Sequence, residues 1–148
     1  MRIKDTMTPE VQTISPGATL REAARAMGVI DVGALPVADG DSLIGMITDR
    51  DIAIRGVAAG KGPDVTVGEV MSTRVLYCFD DEDVGDVCDN MGELQVRRLP
   101  VVNREKRLVG IVSLADLAAA RSAEAGEALE GITRPGGAHS QAVGDRLK

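Results

Sequence analysis

The stretch Gly45-Met46-Ile47-Thr48-Asp49-Arg50-Asp51 reads as the end of a strand that turns directly into a helix. The same pattern returns as Gly110-Ile111-Val112-Ser113-Leu114-Ala115-Asp116. In both copies a hydroxyl residue is followed three positions later by an aspartate. Two matched copies of a strand-to-helix turn indicate an internal duplication, which is a property of the whole fold.

The duplication extends outward from these two turns. A shift of 64 positions places Leu35-Pro36-Val37 on Leu99-Pro100-Val101, and it also places Met27 on Met91. One extra residue in the turn at 103–107 changes the shift to 65 for the residues that follow. A unit of about 60 residues is marginal alone, because a small domain buries too little of its surface. We therefore expect the two copies to pack against each other.

Each copy has the pattern of a β-α-β-β-α unit, which predicts an α/β (α+β) fold. In the first copy we expect a strand at 11–14, a helix capped by Thr19 with Glu22 as capping-box partner, strands at 34–38 and 43–48, and a helix at 49–59. In the second copy we expect a cap at Asp83, strands at 99–102 and 108–113, and a helix from Leu114. The apolar spacing predicts that the buried helix faces are Leu20, Ala23, Ala24 and Met27, and Val84, Val87, Cys88 and Met91.

These patterns divide the chain into three parts. Residues 1–62 form the first repeat and residues 63–122 the second. Residues 123–148 have no counterpart in the duplication. Their Ala- and Glu-rich start predicts a helical extension that is broken at Thr133-Arg134-Pro135, and their polar end predicts a mobile tail.

The composition narrows the classes of function. The 148 residues carry a formal net charge of −6, which disfavours nucleic acid, because a nucleic-acid groove needs clustered Lys and Arg. Tyr77 and Phe79 are the aromatic residues, too few for a stacking platform. We expect no membrane span, since no apolar run is long enough. No apolar run follows Met1 as in a signal peptide, so we expect a cytoplasmic location.

Neither the cysteines nor the histidine predicts a catalytic or metal site. Cys78 and Cys88 align with Ile14 and Ala24 of the first copy, so we interpret both as buried thiols at apolar positions. His139 is the single histidine and lies in the tail. A zinc site or a Ser-His-Asp triad therefore has too few parts, and no nucleophile with a positioned base is evident. The sequence predicts no metal, no catalytic residue and no enzyme activity.

The turn residues themselves admit two interpretations. Thr48 with Asp51, and Ser113 with Asp116, have the spacing of a helix-capping box. A helix start also presents unpaired N–H groups, so a phosphate could bind there and an aspartate one turn later could accept hydrogen bonds from a ribose. One residue pair can serve both purposes, and both interpretations stay open at this stage.

The duplicated unit, the Leu-Pro-Val strand and the Gly-x-x-Thr/Ser-x-x-Asp turn resemble a tandem pair of cystathionine-β-synthase (CBS) domains, also called a Bateman module. The resemblance covers roughly residues 1–122 and extends to small stand-alone bacterial CBS-pair proteins. It implies two repeats related by a pseudo-twofold axis and packed through their sheets, with two clefts between them. It also implies that pairs associate as homodimers, in a disc of four repeats.

By this resemblance the clefts bind adenine compounds such as AMP, ADP, ATP, S-adenosylmethionine or NADH. Asp51 and Asp116 would hold ribose hydroxyls, while Thr48 and Ser113 would face phosphate. The other implied ligand-binding residues are Val32, Gly33, Ala34, Gly45, Met46, Arg50, Val96, Arg97, Arg98, Gly110, Ile111 and Ala115. Guanidinium geometry matches phosphate, which makes the three arginines of this set candidate phosphate partners.

The two copies differ at the turn. Leu114 and Ala115 stand where the first copy has Asp49 and Arg50, and the second copy has Arg97 and Arg98 where the first has Gly33 and Ala34. The clefts are therefore expected to be inequivalent.

The resemblance predicts a non-enzymatic regulatory module that needs no cofactor. It would bind an adenine nucleotide between its repeats and transmit the ligand state to an unidentified regulated protein. The alternative is a structural dimerisation module that has no physiological ligand, in which Thr48 and Asp51 act only as helix caps.

Overall fold

The computed structural model describes residues 1–120 and 122–135, with the side chains of residues 122–125 left out. The chain forms two compact units. The N-unit contains Gln12–Leu76 and Lys106–Leu108. The C-unit contains Met1–Val11, Tyr77–Glu105 and the described residues from Val109 onward.

The described chain contains both helices and strands. They are β1 Thr8–Pro9, α1 Leu20–Ile30, β2 Ala34–Asp39, β3 Ser42–Thr48, α2 Asp49–Asp51, α3 Val67–Val70, β4 Cys78–Phe79, α4 Val84–Leu94, β5 Arg98–Val102, β6 Leu108–Ser113, α5 Leu114–Ala120 and α6 Ser122–Thr133. A 3₁₀ turn spans Ile3–Asp5, and a π-helical turn at Ile52–Val57 continues α2. This mixture confirms the predicted α/β class.

The N-unit is built on the β2–β3 hairpin. Its strands pair from Ala34 with Thr48 to Asp39 with Ser42, across a bulge after Val37. Gly40 in the connecting turn has φ +60°, a conformation that suits glycine. Single bridges flank the hairpin, since Ile14 pairs parallel with β2 and Ser72 pairs antiparallel with β3. The N-unit core residues are Leu20, Ala23, Met27, Leu35, Val37, Ile47, Val67 and Val70.

The C-unit repeats this topology with longer outer strands. Its sheet has the order β1-β6-β5-β4, with β1 antiparallel to β6 and β4 parallel to β5. Ile14 and Ser72 are the bridge residues of the N-unit. By the 64-residue offset, Ile14 corresponds to Cys78 of the C-unit and Ser72 corresponds to Thr8. The duplicated sequence therefore folds twice into the same strand order.

Each unit takes its leading segment from the sequence of the other repeat. Ile3 is fully buried in the C-unit, where its N–H donates to the carbonyl of Glu82 at 3.0 Å. In the N-unit the equivalent residue is Val67, which is also fully buried. The repeat boundaries predicted at residues 62 and 122 follow the sequence offset, whereas the compact units exchange these segments.

Three details of the predicted elements were wrong. Within the predicted strand at 11–14, only Ile14 forms a bridge, to Val37. The helix expected at 49–59 is α-helical for three residues and then widens, because Ala58 N–H donates to the carbonyl of Ala53, five residues back. Thr19 caps α1 by accepting from the Glu22 N–H at 3.1 Å, which is one half of the expected box.

Ala24 is exposed, contrary to the predicted buried face of α1. Its counterpart Cys88 is fully buried, as are Val84, Val87 and Met91, so the predicted face of α4 is confirmed. The difference arises because α6 packs against α4 and α5 of the C-unit and has no counterpart in the N-unit.

The predicted helical extension is α6, which ends at Thr133 as expected. Residues 136–148, including His139 and the predicted mobile tail, lie outside the described residues. In the part of the chain that the structure describes, every helix is too short or too polar to span a membrane.

Candidate functional site

The turn at the end of β3 is a reciprocal capping box. Thr48 Oγ1 accepts the N–H of Asp51 at 3.0 Å, and Asp51 Oδ2 accepts the N–H of Thr48 at 3.0 Å. Both residues are half-buried. These two hydrogen bonds are the capping box that the spacing of Thr48 and Asp51 predicted. One carboxylate oxygen of Asp51 takes part in this box, and a carboxylate can accept further bonds through its other oxygen.

The strand start beside this turn brings the other predicted N-unit residues together. Ala34 pairs with Thr48, and the carbonyl of Gly33 accepts the N–H of Asp49 at 2.9 Å. A Cβ on Gly33 would lie 3.1 Å from Asp49 Oδ2, so the carboxylate rests against the bare glycine backbone. Val32 and Gly33 are half-buried, while Arg50 is exposed. These residues form one continuous edge of the N-unit.

Gly45 and Met46 face a neighbouring segment of their own unit. A Cβ on Gly45 would lie 2.7 Å from Met71 Sδ and 2.9 Å from the Ser72 carbonyl, so glycine is required for this close approach. The N–H and carbonyl of Met46 both bond to Ser72, at 3.0 and 2.8 Å. What Met46 can present to a ligand is its half-buried side chain.

The C-unit repeats the box at Ser113. Ser113 Oγ accepts the Asp116 N–H at 3.2 Å, and Asp116 Oδ2 accepts the Ser113 N–H at 2.9 Å. The Arg97 carbonyl accepts the Leu114 N–H at 2.8 Å, so the 97–98 segment lies beside this turn as Gly33 lies beside Thr48. Thr6 adds a hydrogen bond from its hydroxyl to the Asp116 carbonyl at 3.1 Å.

Gly110 and Ile111 repeat the packing of Gly45 and Met46. A Cβ on Gly110 would lie 2.6 Å from Met7 Sδ and 2.8 Å from the Thr8 carbonyl. Ile111 pairs with Thr8 in the β1–β6 ladder. The Met7-Thr8 and Met71-Ser72 segments were not among the residues predicted for the site. The 64-residue offset between the two methionines was the signal that could have found them.

The two turns differ in charge. Arg97 and Arg98 are exposed at the C-unit turn, and neither forms an ion pair within the described part of the chain. The N-unit turn has Gly33 and Ala34 at those positions and adds the acid Asp49 and the base Arg50, where the C-unit has Leu114 and exposed Ala115. Val96 is half-buried like Val32. The C-unit turn is therefore the more positive one.

The C-unit also carries a polar cluster made of Asp81, Arg104 and the ring of Phe79. The guanidinium of Arg104 donates to both carboxylate oxygens of Asp81 at 2.7 to 3.1 Å, and its Cζ lies 4.1 Å from the centre of the Phe79 ring. The hydrogen bond from Arg104 is the main cause that lowers the pKa of Asp81 below its ordinary value. None of the residues of this cluster belongs to the predicted site.

Cys78 and Cys88 form no disulfide with each other, and both are buried thiols, as predicted. Burial is the main cause that raises the pKa of the Cys78 thiol from 9.0 to about 12, with smaller contributions from Glu82 and Asp80. A thiol with such a pKa is protonated at neutral pH and is a poor nucleophile. Within residues 1–120 and 122–135, no three His, Cys, Asp or Glu side chains are placed to hold a metal ion.

The family model described as CBS domain matches the chain twice, at residues 3–56 and 67–123. The CBS domain-containing protein YhcV of Bacillus subtilis is 44% identical over 133 residues, which cover 88% of this chain and 94% of that protein. Hypoxic response protein 1 of Mycobacterium tuberculosis is 44% identical over 117 residues, covering 78% of this chain and 81% of the relative.

Two solved structures are similar over most of the chain. A crystal structure of Hypoxic Response Protein I with two coordinated zinc ions has a TM-score of 0.74 and 41% identity, covering 81% of this chain and 98% of that one. The CBS domain pair of protein MJ0100, in complex with 5-methylthioadenosine and S-adenosyl-L-methionine, has a TM-score of 0.72 and 29% identity, with coverages of 84% and 98%.

Proposed function

The chain belongs to the CBS domain family, and from this premise we propose that it is a non-enzymatic regulatory module whose turns at Thr48 and Ser113 bind adenosine compounds. We expect the ligand to be an adenine nucleotide such as AMP, ADP or ATP, or a related compound such as S-adenosylmethionine or NADH. Ligand state would pass to a regulated protein through a difference in affinity for two arrangements of the module. We expect a cytoplasmic location.

The observation that carries the proposal is the duplication of the turn geometry. In both units a half-buried hydroxyl and a half-buried aspartate are fixed by the same two hydrogen bonds. A side chain held in one orientation loses little further freedom when a ligand binds, so such a site is preorganised. The carboxylate oxygen outside the box is suited to accept hydrogen bonds from a ribose diol.

A structural relative supports the class of ligand. The protein MJ0100, 29% identical over 84% of this chain, was crystallised with two adenosine compounds. An aspartate that binds ribose, and a strand edge that flanks a base, would serve any compound with an adenosyl group. We therefore propose that both turns recognise the adenosyl group. The charges at each turn would determine which groups the rest of the ligand carries.

The charges support different preferences at the two turns. Exposed Arg97 and Arg98 at the C-unit turn favour a ligand with several phosphates, because guanidinium groups bind phosphate oxygens in pairs. At the N-unit turn the carboxylate of Asp49 rests on Gly33, which favours a ligand that carries less negative charge. AMP or the cationic S-adenosylmethionine would meet less repulsion there than ATP.

Isothermal titration of the nucleotide-free protein with AMP, ATP, S-adenosylmethionine and NADH tests the proposal. We expect saturable binding of at least one of them at up to two sites per chain. Asp51→Ala and Asp116→Ala should each remove one site and leave the other. The absence of both heat and thermal shift with all four compounds would refute the regulatory function.

Two matched variants separate ligand binding from capping. Thr19→Ala and Asp83→Ala remove N-cap bonds of α1 and α4, outside the proposed sites. All four variants should lose about 1 kcal/mol of unfolding free energy, as helix-cap removal does. Only Asp51→Ala and Asp116→Ala should lose ligand. If these two lose stability and no ligand binding is found in any variant, the turns act as caps alone.

That last outcome would favour the second candidate, a structural dimerisation module. The observation in its favour is that the Thr48–Asp51 box is complete without a ligand. An enzyme activity would instead be revealed by ATP turnover that one point substitution abolishes.

A further inference from the structure

Helix α6 ends against the segment that leads into the C-unit turn. Gln95 directly follows α4, and it is half-buried. Its Nε2 donates to the carbonyls of Gly131 and Arg134 at 3.1 and 3.2 Å. Gly131 lies in the last turn of α6, and Arg134 follows the end of that helix. Because the last carbonyls of a helix need donors from outside its regular hydrogen bonds, Gln95 acts as a side-chain cap of α6.

The backbone at Gln95 has a conformation that few residues adopt. Its φ is 57° and its ψ is 43°, in the left-handed region. Glycine, asparagine and aspartate tolerate this region, whereas it is unfavourable for most other residues. The N-unit has Asp31 at the equivalent position, with φ 56° and ψ 53°. Glutamine therefore stands at an unfavourable position in the unit that has α6, where its amide reaches two carbonyls of that helix.

The same short segment reaches the proposed ligand site. The carbonyl of Arg97, two residues after Gln95, accepts the N–H of Leu114 at 2.8 Å. Leu114 begins α5 and directly follows the hydroxyl residue of the Ser113–Asp116 box. Residues 95–98 therefore connect the cap of α6 to this box.

The packing of α6 leaves no room for a gradual shift. A Cβ on Gly92 would lie 3.2 Å from Ala128 Cα, and a Cβ on Gly131 would lie 2.7 Å from the Gly92 carbonyl. At these points the backbones of α4 and α6 touch, so no flexible side chain lies between them to absorb a small movement. Helix α6 also packs against α5, which starts at the turn. We therefore distinguish a docked α6, which contacts α4 and is capped by Gln95, from an undocked one.

The equivalent part of the N-unit is open. A Cβ on Gly28, the counterpart of Gly92, would have nothing within 4 Å, and Asp31 is exposed. A link of this kind can therefore act at the C-unit turn alone, and the N-unit provides matched positions for control variants.

We propose that the docking of α6 is coupled to ligand binding at the C-unit turn, with Gln95 as the positioning residue that links them. Ligand binding by Arg97 and Arg98 and the capping of α6 by Gln95 both require residues 95–98 in one conformation. A ligand that orders this segment reduces the freedom that Gln95 has to lose when it caps α6, so the ligand favours the docked helix. The inference rests on the proposed function, and it identifies the docked and undocked states of α6 as the two arrangements of the module.

Hydrogen exchange of the α6 amides measures this coupling. The probe is ATP, because it carries several phosphates for Arg97 and Arg98. All proteins carry Asp51→Ala, which confines binding to the C-unit turn. Saturating ATP should slow the exchange of the amides at 126–133 about fivefold or more, the usual size of an allosteric coupling. Exchange in α1 should change by less than about twofold, because α1 opens with the other unit.

Two glycine substitutions separate the link from the fold. Gln95→Gly removes both side-chain hydrogen bonds to α6 and suits the left-handed backbone, so the C-unit should still fold. Asp31→Gly makes the same change at the equivalent position of the N-unit and is the matched control. ATP should slow α6 exchange by less than about twofold in the Gln95→Gly protein and by about fivefold or more in the Asp31→Gly protein. A cap with a purely structural role would instead change the exchange rates equally with and without ATP.

Isothermal titration of the same proteins with ATP distinguishes failure of the coupling from failure of the proposed function. ATP binding together with the expected pattern of exchange supports the coupling. Binding that leaves α6 exchange unchanged, or that slows it equally in the Gln95→Gly protein, overturns the coupling while the proposed function stands. Absence of ATP binding also overturns the coupling, and the proposed function fails with it when AMP, S-adenosylmethionine and NADH give no heat or thermal shift with the wild-type protein either.

Discussion

At the scale of single residues, glycine is the most informative type in this chain. Gly45 and Gly110 were predicted to contact a ligand, and the structure gives each a packing role, since methionine sulfur and a carbonyl oxygen occupy the space that a side chain would need. Gly28 differs, because a Cβ added to it would have no atom within 4 Å. The sequence pattern alone does not separate these two situations, because the neighbours that decide between them lie far away along the chain.

Alanine substitutions at two glycines should therefore have opposite effects. Gly45→Ala forces its Cβ to within 2.9 Å of the Ser72 carbonyl and should cost about 1–3 kcal/mol of unfolding free energy, as other overpacked cores do. Gly28→Ala should raise that free energy by about 1 kcal/mol, since it only improves helix propensity. Urea denaturation of both variants checks the prediction, and a stable Gly45→Ala protein would contradict the close packing.

The Cys78 thiol should make stability depend on alkaline pH. Its pKa is raised from 9.0 to about 12 in the folded protein, so above pH 9 the unfolded chain releases this proton while the folded chain keeps it. The contribution of this thiol to the free energy of unfolding should be fully present below pH 9. It should fall by about 1.4 kcal/mol per pH unit between pH 9 and pH 12.

Cys78→Val is the matched control, because the equivalent N-unit position holds the apolar residue Ile14. The difference between wild type and variant isolates the thiol from the tyrosine and lysines that titrate in the same range. Equal slopes in the two proteins would show that the thiol ionises freely in the folded state.

At the scale of elements, α6 is what makes the duplicated units different. It packs against α4 and α5. Among the α6 residues whose side chains the structure describes, Ala128 is the buried one, at 2% exposed. Its contacts with α4 run through glycine and alanine, which brings the two backbones together. The exposure of Ala24 and the burial of Cys88, which the sequence made equivalent, follow from this one helix.

A chain that ends at Ala120 should expose Cys88. Without α6, the side of α4 that carries Cys88 should be as open as the side of α1 that carries its exposed counterpart Ala24. Cys88 should then react with a thiol reagent at pH 8 at least about tenfold faster than in the full chain. Cys78 should stay protected by its place in β4 and by its raised pKa. Mass spectrometry of the labelled protein distinguishes the two thiols. Protection of Cys88 in the shortened chain would mean that α6 is not what buries it.

At the scale of the whole molecule, the exchange of leading segments organises both units. Met1–Val11 completes the C-unit, and Val67–Val70 completes the core of the N-unit. The duplicated turns, the hairpins and the helix caps could be predicted because each depends on residues close in sequence. The exchange, the π-helical turn and the burial by α6 could not, since each is decided by contacts between distant parts of the chain.

Ile3→Ala should therefore destabilise the C-unit, although Ile3 lies in the first sequence repeat. The residue is fully buried, so truncation should cost about 2–5 kcal/mol. Labelling of Cys78 and Cys88 in mild denaturant reports on the C-unit, and both should become reactive at lower denaturant concentration than in wild type. Lys4→Ala, at an exposed neighbour, is the control that should change little.

The pairing of Thr8 with Ile111 also determines when β1 can join its sheet during translation. The partner strand of β1 is made about a hundred residues after it, which takes on the order of ten seconds at roughly 5–20 residues per second. During that interval the N-unit can fold around its own hairpin. The segment that contains apolar Ile3 has no C-unit to pack against until β6 has been made. The segment that contains Ile3 and Thr8 therefore has to remain unaggregated until β6, about a hundred residues further along the chain, has been translated.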